Sequence, residues 1–196
     1  MGRAYQPGSE RALSLRPPLV IISGPPAGGK TTLAVPLARH LGLPLLAKDT
    51  IKEALMDALG CDSVDRSREL GKATFEVLYR LAEAQLDVGT GAAVEANFHA
   101  GASVPALSRL VARSKAVGIF CWAPDDVLIQ RYRRRAWSGG RHLGHYDLDR
   151  IPGGPALLEP ARYDMARFGV PTLRVDTSGR YGLDAILDWT REQLSR

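Results

Sequence analysis

The sequence predicts an α/β fold in which one parallel sheet is covered by helices on both faces. Three observations predict it. Short β-branched apolar runs alternate with longer segments of helical periodicity along the chain. Strands alternating with helices pair in parallel through crossovers, and both faces of the sheet then need a helical cover. The first apolar run, "PLVIIS", leads directly into the glycine-rich stretch "GPPAGGKTT" and then into a helical pattern. The chain has 196 residues, enough for the core of one such domain.

The elements follow in order. Residues 1–17 lack an apolar secretion core and read as a loosely ordered extension. The run ending at Ser23 is a buried strand. From Gly24 the spacing is one glycine, four residues, then Gly29-Lys30-Thr31, which is the phosphate-binding loop pattern. Gly24, Gly28 and Gly29 allow backbone angles and close approach that a side chain forbids. Backbone N–H groups from Ala27 to Thr32 can then face phosphate oxygens at a helix N-terminus. Lys30 supplies charge to the β- and γ-phosphates, and Thr31 offers its hydroxyl to Mg²⁺. The helix that follows puts Leu33, Leu37 and Leu41 on one face, and Pro36 inside it should bend the axis.

A second strand is read at 43–49 and a helix from Thr50 to Gly60. A long helix at 67–89 takes Leu70, Phe75, Leu78, Leu81 and Leu86 as its core positions. "AAVEAN" is a third strand, "VPALSRLVARS" a helix and "AVGIFCWA" a fourth strand. "PDDVLIQRYRRRAW" is a helix opened by Pro124 and two acids. "TLRVD" is a fifth strand and "GLDAILDWTREQL" the last helix. Ligands of such a sheet bind beyond the C-terminal ends of its strands.

Several polar residues fall at those ends. Asp49 closes the second strand, where it can take a proton from an attacking hydroxyl or serve as the N-cap of the next helix. Lys52, one turn on, can hold an anionic or polar substrate. Glu95 and Asn97 end the third strand, where an acid can reach Mg²⁺ or substrate; the alternative is a plain turn. In "RYRRR", Arg131 and Arg135 share a helix face and can stabilise charge in phosphoryl transfer, while Arg133 and Arg134 read as a solvated face. The glycine-rich "SGGRHLGHYD" reads as a closing lid, with Arg141 and His142 as substrate contacts. His142 and His145 without further ligands do not make a zinc site, and both read instead as lid or substrate contacts.

The phosphate loop, "KDTIKEAL", "EAN" and "RYRRR…RHLGHYD" together resemble the small P-loop kinases, which include phage polynucleotide 5′-kinase, chloramphenicol phosphotransferase and the zeta-toxin sugar-nucleotide kinases. The resemblance spans about residues 18–180. It implies a P-loop NTPase fold with strand order 2-3-1-4-5 and a lid at about 131–158. It implies Asp49 as general base, Lys52 on the substrate and Arg131 and Arg135 in the lid. It also places the "DTSGR" loop, with Asp176 and Thr177, near the adenine.

The leading expectation is therefore an ATP- and Mg²⁺-dependent kinase of a small hydroxyl compound such as a sugar, antibiotic, nucleoside or sugar nucleotide. A 5′-hydroxyl polynucleotide kinase ranks second. The net charge of +5 suits an anionic ligand, but aromatics are 7% of the chain and only Tyr132 interleaves the basic run, against the stacking platforms single strands use. A regulatory ATPase without an acceptor ranks third. No apolar run reaches 18 residues, so no membrane span is read. With two cysteines and no secretion signal, the expectation is a cytoplasmic monomer or small homo-oligomer.

Overall fold

The first strand explains the layering. In β1 (Pro18–Ser23), Leu19 and Ile21 point to one side, Val20 and Ile22 to the other, and all four are fully buried. A strand buried on both faces must lie inside a helix-covered sheet. A computed structural model describes residues 16–99, 101–139, 141–148, 163, 165 and 168–196. In it β1 is the central strand of a five-stranded parallel sheet.

The elements are α1 (Lys30–Leu41), β2 (Leu45–Ala47), α2 (Lys48–Leu59), α3 (Val64–Asp87), β3 (Ala92–Glu95) and α4 (Val104–Ala112). They continue with β4 (Lys115–Trp122), α5 (Asp125–Trp137), a 3₁₀ turn (Leu143–His145), β5 (Thr172–Asp176) and α6 (Leu183–Ser195). The sheet order is β2-β3-β1-β4-β5, as the family resemblance implied. On one face Leu19 and Ile21 pack with Leu78, Tyr79 and Leu86 of α3 and Leu107 and Leu110 of α4. On the other, Val20 and Ile22 pack with Leu33 and Leu37 of α1 and Ile186 and Leu187 of α6.

Register brings the strand ends level. Ile22 pairs with Glu95, Glu95 with Ala47, and Ser23 with Phe120. The phosphate loop, the start of α2 and the end of β3 therefore emerge at one edge.

Several boundaries differ from expectation. The second strand spans Leu45–Ala47 rather than 43–49, because α2 takes over at Lys48. Asp49 thus lies in the first turn of α2; the cap position is Ala47, with no side-chain capping bond, so the N-cap reading of Asp49 is corrected. The third strand stops at Glu95, leaving Asn97 in the following loop. Helix α3 starts at Val64, because Ser63 caps it by accepting from the Arg66 N–H. Leu81 is 41% exposed and is not a core residue. Helix α1 runs unbroken across Pro36. Residues 1–15 of the expected extension, and residues 140 and 149–158 of the expected lid, lie outside the described residues. Both cysteines are free thiols. No helix among the described residues is long and apolar enough to cross a membrane.

Gly24 shows how tightly the loop is seated. Its φ is 143°, and a Cβ there would stand 2.1 Å from the Cys121 carbonyl oxygen on β4. Gly24→Ala is expected to lower Tm by roughly 5–10 °C, from backbone displacement at a strained angle. A thermal melt checks this, and an unchanged Tm would mean that the turn relaxes freely away from β4.

Candidate active site

The strand ends surround a cavity of about 700 Å³. One wall is the phosphate loop, with Ala27, Gly28, Gly29, Lys30, Thr31 and Thr32. Ala27 adopts φ 60° and Gly29 φ 78° just before α1. A non-glycine residue in the left-handed region is strained, and such strain clusters where backbone N–H groups clamp a ligand. Gly24 shapes the turn from below and does not line the cavity.

Lys30 folds back onto its loop and donates to the Pro25 carbonyl at 2.8 Å. Burial lowers its pKa, and the Glu95 carboxylate opposes this only in part. Glu95 is 4% exposed and accepts from the Thr31 hydroxyl at 3.0 Å. Burial raises its pKa, against the pull of Lys30 and the Thr31 hydroxyl. A buried acid facing a threonine hydroxyl and a lysine thus stands at the foot of the loop.

The opposite wall comes from α2 and the segment after α5. The two oxygens of Asp49 are engaged separately. Lys48 Nζ lies 2.9 Å from Oδ1, and Arg141 Nη2 donates to Oδ2. Burial acts to raise the Asp49 pKa, but the Lys48 and Arg141 cations outweigh it and hold the carboxyl well below the usual range. Asp49 is therefore ionised throughout the neutral range.

Arg141 Nη1 also donates to both oxygens of Asp147, at 3.2 and 2.9 Å. Lys52 is 3% exposed and donates to the Ser67 hydroxyl at 2.9 Å, so it is buried against α3 while bordering the cavity. Asn97 borders the cavity beside Glu95.

The arginines of α5 divide their roles. Arg131 donates to the Thr177 hydroxyl at 3.1 Å and to its carbonyl at 2.5 Å. The Thr177 hydroxyl also lies 3.1 Å from the Gly28 carbonyl and 3.0 Å from that of Trp122. Thr177 so braces the phosphate loop, β4 and α5 together. Arg135 stacks 5.0 Å from the centre of the Tyr132 ring, and its Nε lies 3.4 Å from Asp147. That Nε is buried without a hydrogen-bond partner among the described residues. Burial and the neighbouring Arg141 lower the Arg135 pKa. Arg135 is ion-paired with Asp147 and also borders the cavity, where its charge can meet an anion.

Two expected contacts sit elsewhere. Asp176 is exposed, does not border the cavity, and accepts from the Ser178 N–H at 2.8 Å as a turn residue. His142 also lies off the cavity; it meets Asp57 at 3.2 Å and accepts from the Gly144 N–H. The cavity takes His145, the other histidine read as a lid or substrate contact, and with it Asp147, Tyr132 and Lys48, which the sequence does not single out as site residues. Burial, helped by the Arg141 charge, pushes His145 down to about 3. Its 2.8 Å contact with Glu53 is thus a hydrogen bond from a neutral imidazole rather than an ion pair. His145 and Asp147 stand in the lid motif, but a loop has no periodicity to say which residues turn inward.

A parallel sheet in the order 2-3-1-4-5, with a lysine-bearing phosphate loop on its central strand, is the frame of the small P-loop kinases, and this chain has that fold. Within that class it belongs to the AAA domain family, whose model matches residues 19–148. A candidate kinase from Chloroflexus aurantiacus is 35% identical, with a TM-score of 0.81 over 91% of this chain and 98% of that one. The APS kinase of Mycobacterium tuberculosis, crystallised with AMPPNP and APS, shares the fold at 20% identity and a TM-score of 0.60, covering 93% of this chain and 99% of its own. A sugar kinase from a Janibacter species shares it at 18% identity and a TM-score of 0.56, over 91% and 95%. No curated protein sequence matches the chain.

Proposed function

We propose that the protein transfers the γ-phosphate of ATP to a hydroxyl group of a small organic molecule, with Asp49 as proton acceptor. One observation carries this reading: the phosphate loop and an ionised carboxylate on α2 face the same cavity of about 700 Å³. A nucleotide-only site would not need that acid. The kinase frame and the fold shared with the APS and sugar kinases support the same reaction class.

The residues divide the work. The loop N–H groups and Lys30 hold the phosphates, and exchanging the Pro25 carbonyl for a phosphate oxygen offsets the burial that disfavours the Lys30 charge. Thr177, Gly179 and Tyr181 border the cavity where the nucleoside would lie. Arg135 borders the cavity from α5, where its charge can meet the transferring group.

The hard oxygen donors Thr31 and Glu95 fit a magnesium ion, because Glu95 is a buried carboxylate only partly compensated by Lys30. Magnesium at that point would neutralise phosphate charge. The hydroxyl proton passes to Asp49 as the acceptor oxygen bonds to phosphorus and the bond to ADP breaks. Arg133, Arg134 and Trp137 border a separate surface hollow rather than this cavity. Their charge does not favour a nucleic-acid acceptor at Asp49.

Acceptor-dependent ADP release over a library of hydroxyl compounds tests the reading. Turnover should rise with one chemical class, and labelled phosphate should move to it. Equal release of ADP and inorganic phosphate whatever the acceptor would make the protein an ATPase.

A further inference from the structure

Both oxygens of Asp49 are occupied by cations, and the two cations differ in kind. Lys48 precedes Asp49 on the same helical turn and moves with it. Arg141 arrives from the segment after α5, 92 residues away in sequence. A general base must bring an oxygen within about 2.6–3.2 Å of the hydroxyl it deprotonates. Where Arg141 holds Oδ2, an acceptor hydroxyl must compete with a charged donor for that oxygen.

We infer that Arg141 is a displaceable latch on Asp49, which competes for Oδ2 when no acceptor is bound and yields it to the acceptor hydroxyl. The inference rests on Asp49 being the proton acceptor. Three observations support it. Arg141 has a second seat: Nη1 bonds both Asp147 oxygens and Nε lies 4.0 Å from Glu53. Leaving Asp49 therefore strands no buried charge, which would otherwise oppose the move. The Arg141 side chain is only 17% exposed, so it moves within the cavity wall rather than into solvent. Finally, Arg141 borders the same cavity as Asp49 and the phosphate loop, so an acceptor that enters that cavity meets it.

The consequence is selectivity against water. In hydrolysis the water oxygen would bond to the γ-phosphorus, ADP would leave with the electrons of the broken P–O bond, and a proton would pass to Asp49. Water alone offers little binding energy to move a guanidinium paired with a carboxylate. A hydroxyl compound that contacts the lid offers more. Arg141 is thus a positioning residue acting through Asp49.

The test needs no identified acceptor. ADP release from ATP and Mg²⁺ is measured without acceptor for the wild-type chain, Arg141→Ala and Arg141→Gln. Each folded variant should hydrolyse ATP roughly tenfold faster than wild type, as a base freed of a competing cation turns to water. The double variant Asp49→Asn with Arg141→Ala should lose that gain, and a double variant as fast as Arg141→Ala overturns the latch, because the gain would not pass through Asp49. Unchanged or slower hydrolysis in either folded single variant overturns the latch and makes Arg141 a plain structural or phosphate-binding cation. A wild-type chain that does not bind ATP would instead defeat the proposed function itself.

Discussion

Lys30→Ala is expected to abolish most turnover, by roughly 10²- to 10³-fold, because it removes a preorganised charge aimed at the phosphates. ATP affinity should fall with it. The site explains why the loss reaches both quantities. Lys30 opens α1, and its ammonium is held at 2.8 Å from the loop's own Pro25 carbonyl, where burial disfavours its charge. A phosphate oxygen satisfies that charge better than a carbonyl does. No other lysine lies in the loop to replace it. Folding should survive, since alanine favours the helix it would open. Titration calorimetry with ATP and an ADP-release assay check the two parts. Wild-type affinity and turnover in the folded variant would remove the phosphate loop from the reaction.

Asp49→Asn should leave the fold and ATP affinity close to native and lower acceptor phosphorylation by roughly 10²- to 10⁴-fold. The structure removes one confounding role. Ala47 occupies the cap position of α2, so the asparagine costs no helix cap. It keeps the size of the side chain and can still hydrogen-bond, but it cannot take a proton. Lys48 and Arg141 lose an anionic partner, yet Arg141 keeps Asp147 at 2.9 Å. Full transfer by the variant would place the base elsewhere, with Glu95 the next carboxylate in the cavity. Loss of ATP binding instead would make Asp49 part of the nucleotide site.

Much of this was legible in the chain. The phosphate loop could be read because one short stretch supplies strand, turn, lysine and threonine at fixed spacing. The strands and helices could be read from apolar periodicity, a property of neighbouring residues. Misplaced ends came where local pattern is weakest. Ser63, four residues ahead of the expected start of α3, caps that helix, and Leu81 repeats at helical spacing yet faces solvent. The resemblance of the motifs supplied the sheet order, which no local pattern carries.

The sequence by itself determined the fold class, the phosphate loop and the acid, lysine and arginines that line one cavity with it. Tertiary structure alone decided how those groups share their charges. It put Arg131 on Thr177 as a brace, sent His142 and Asp176 away from the cavity, and brought in Lys48 and Asp147. It also set Arg141 on Asp49 across 92 residues of chain. The physical reason is range. Periodicity and motif spacing are set by bonds along the backbone. The pairing of two charged side chains is set by which loop ends meet at the edge of the sheet, and by the penalty on any buried charge left without a partner.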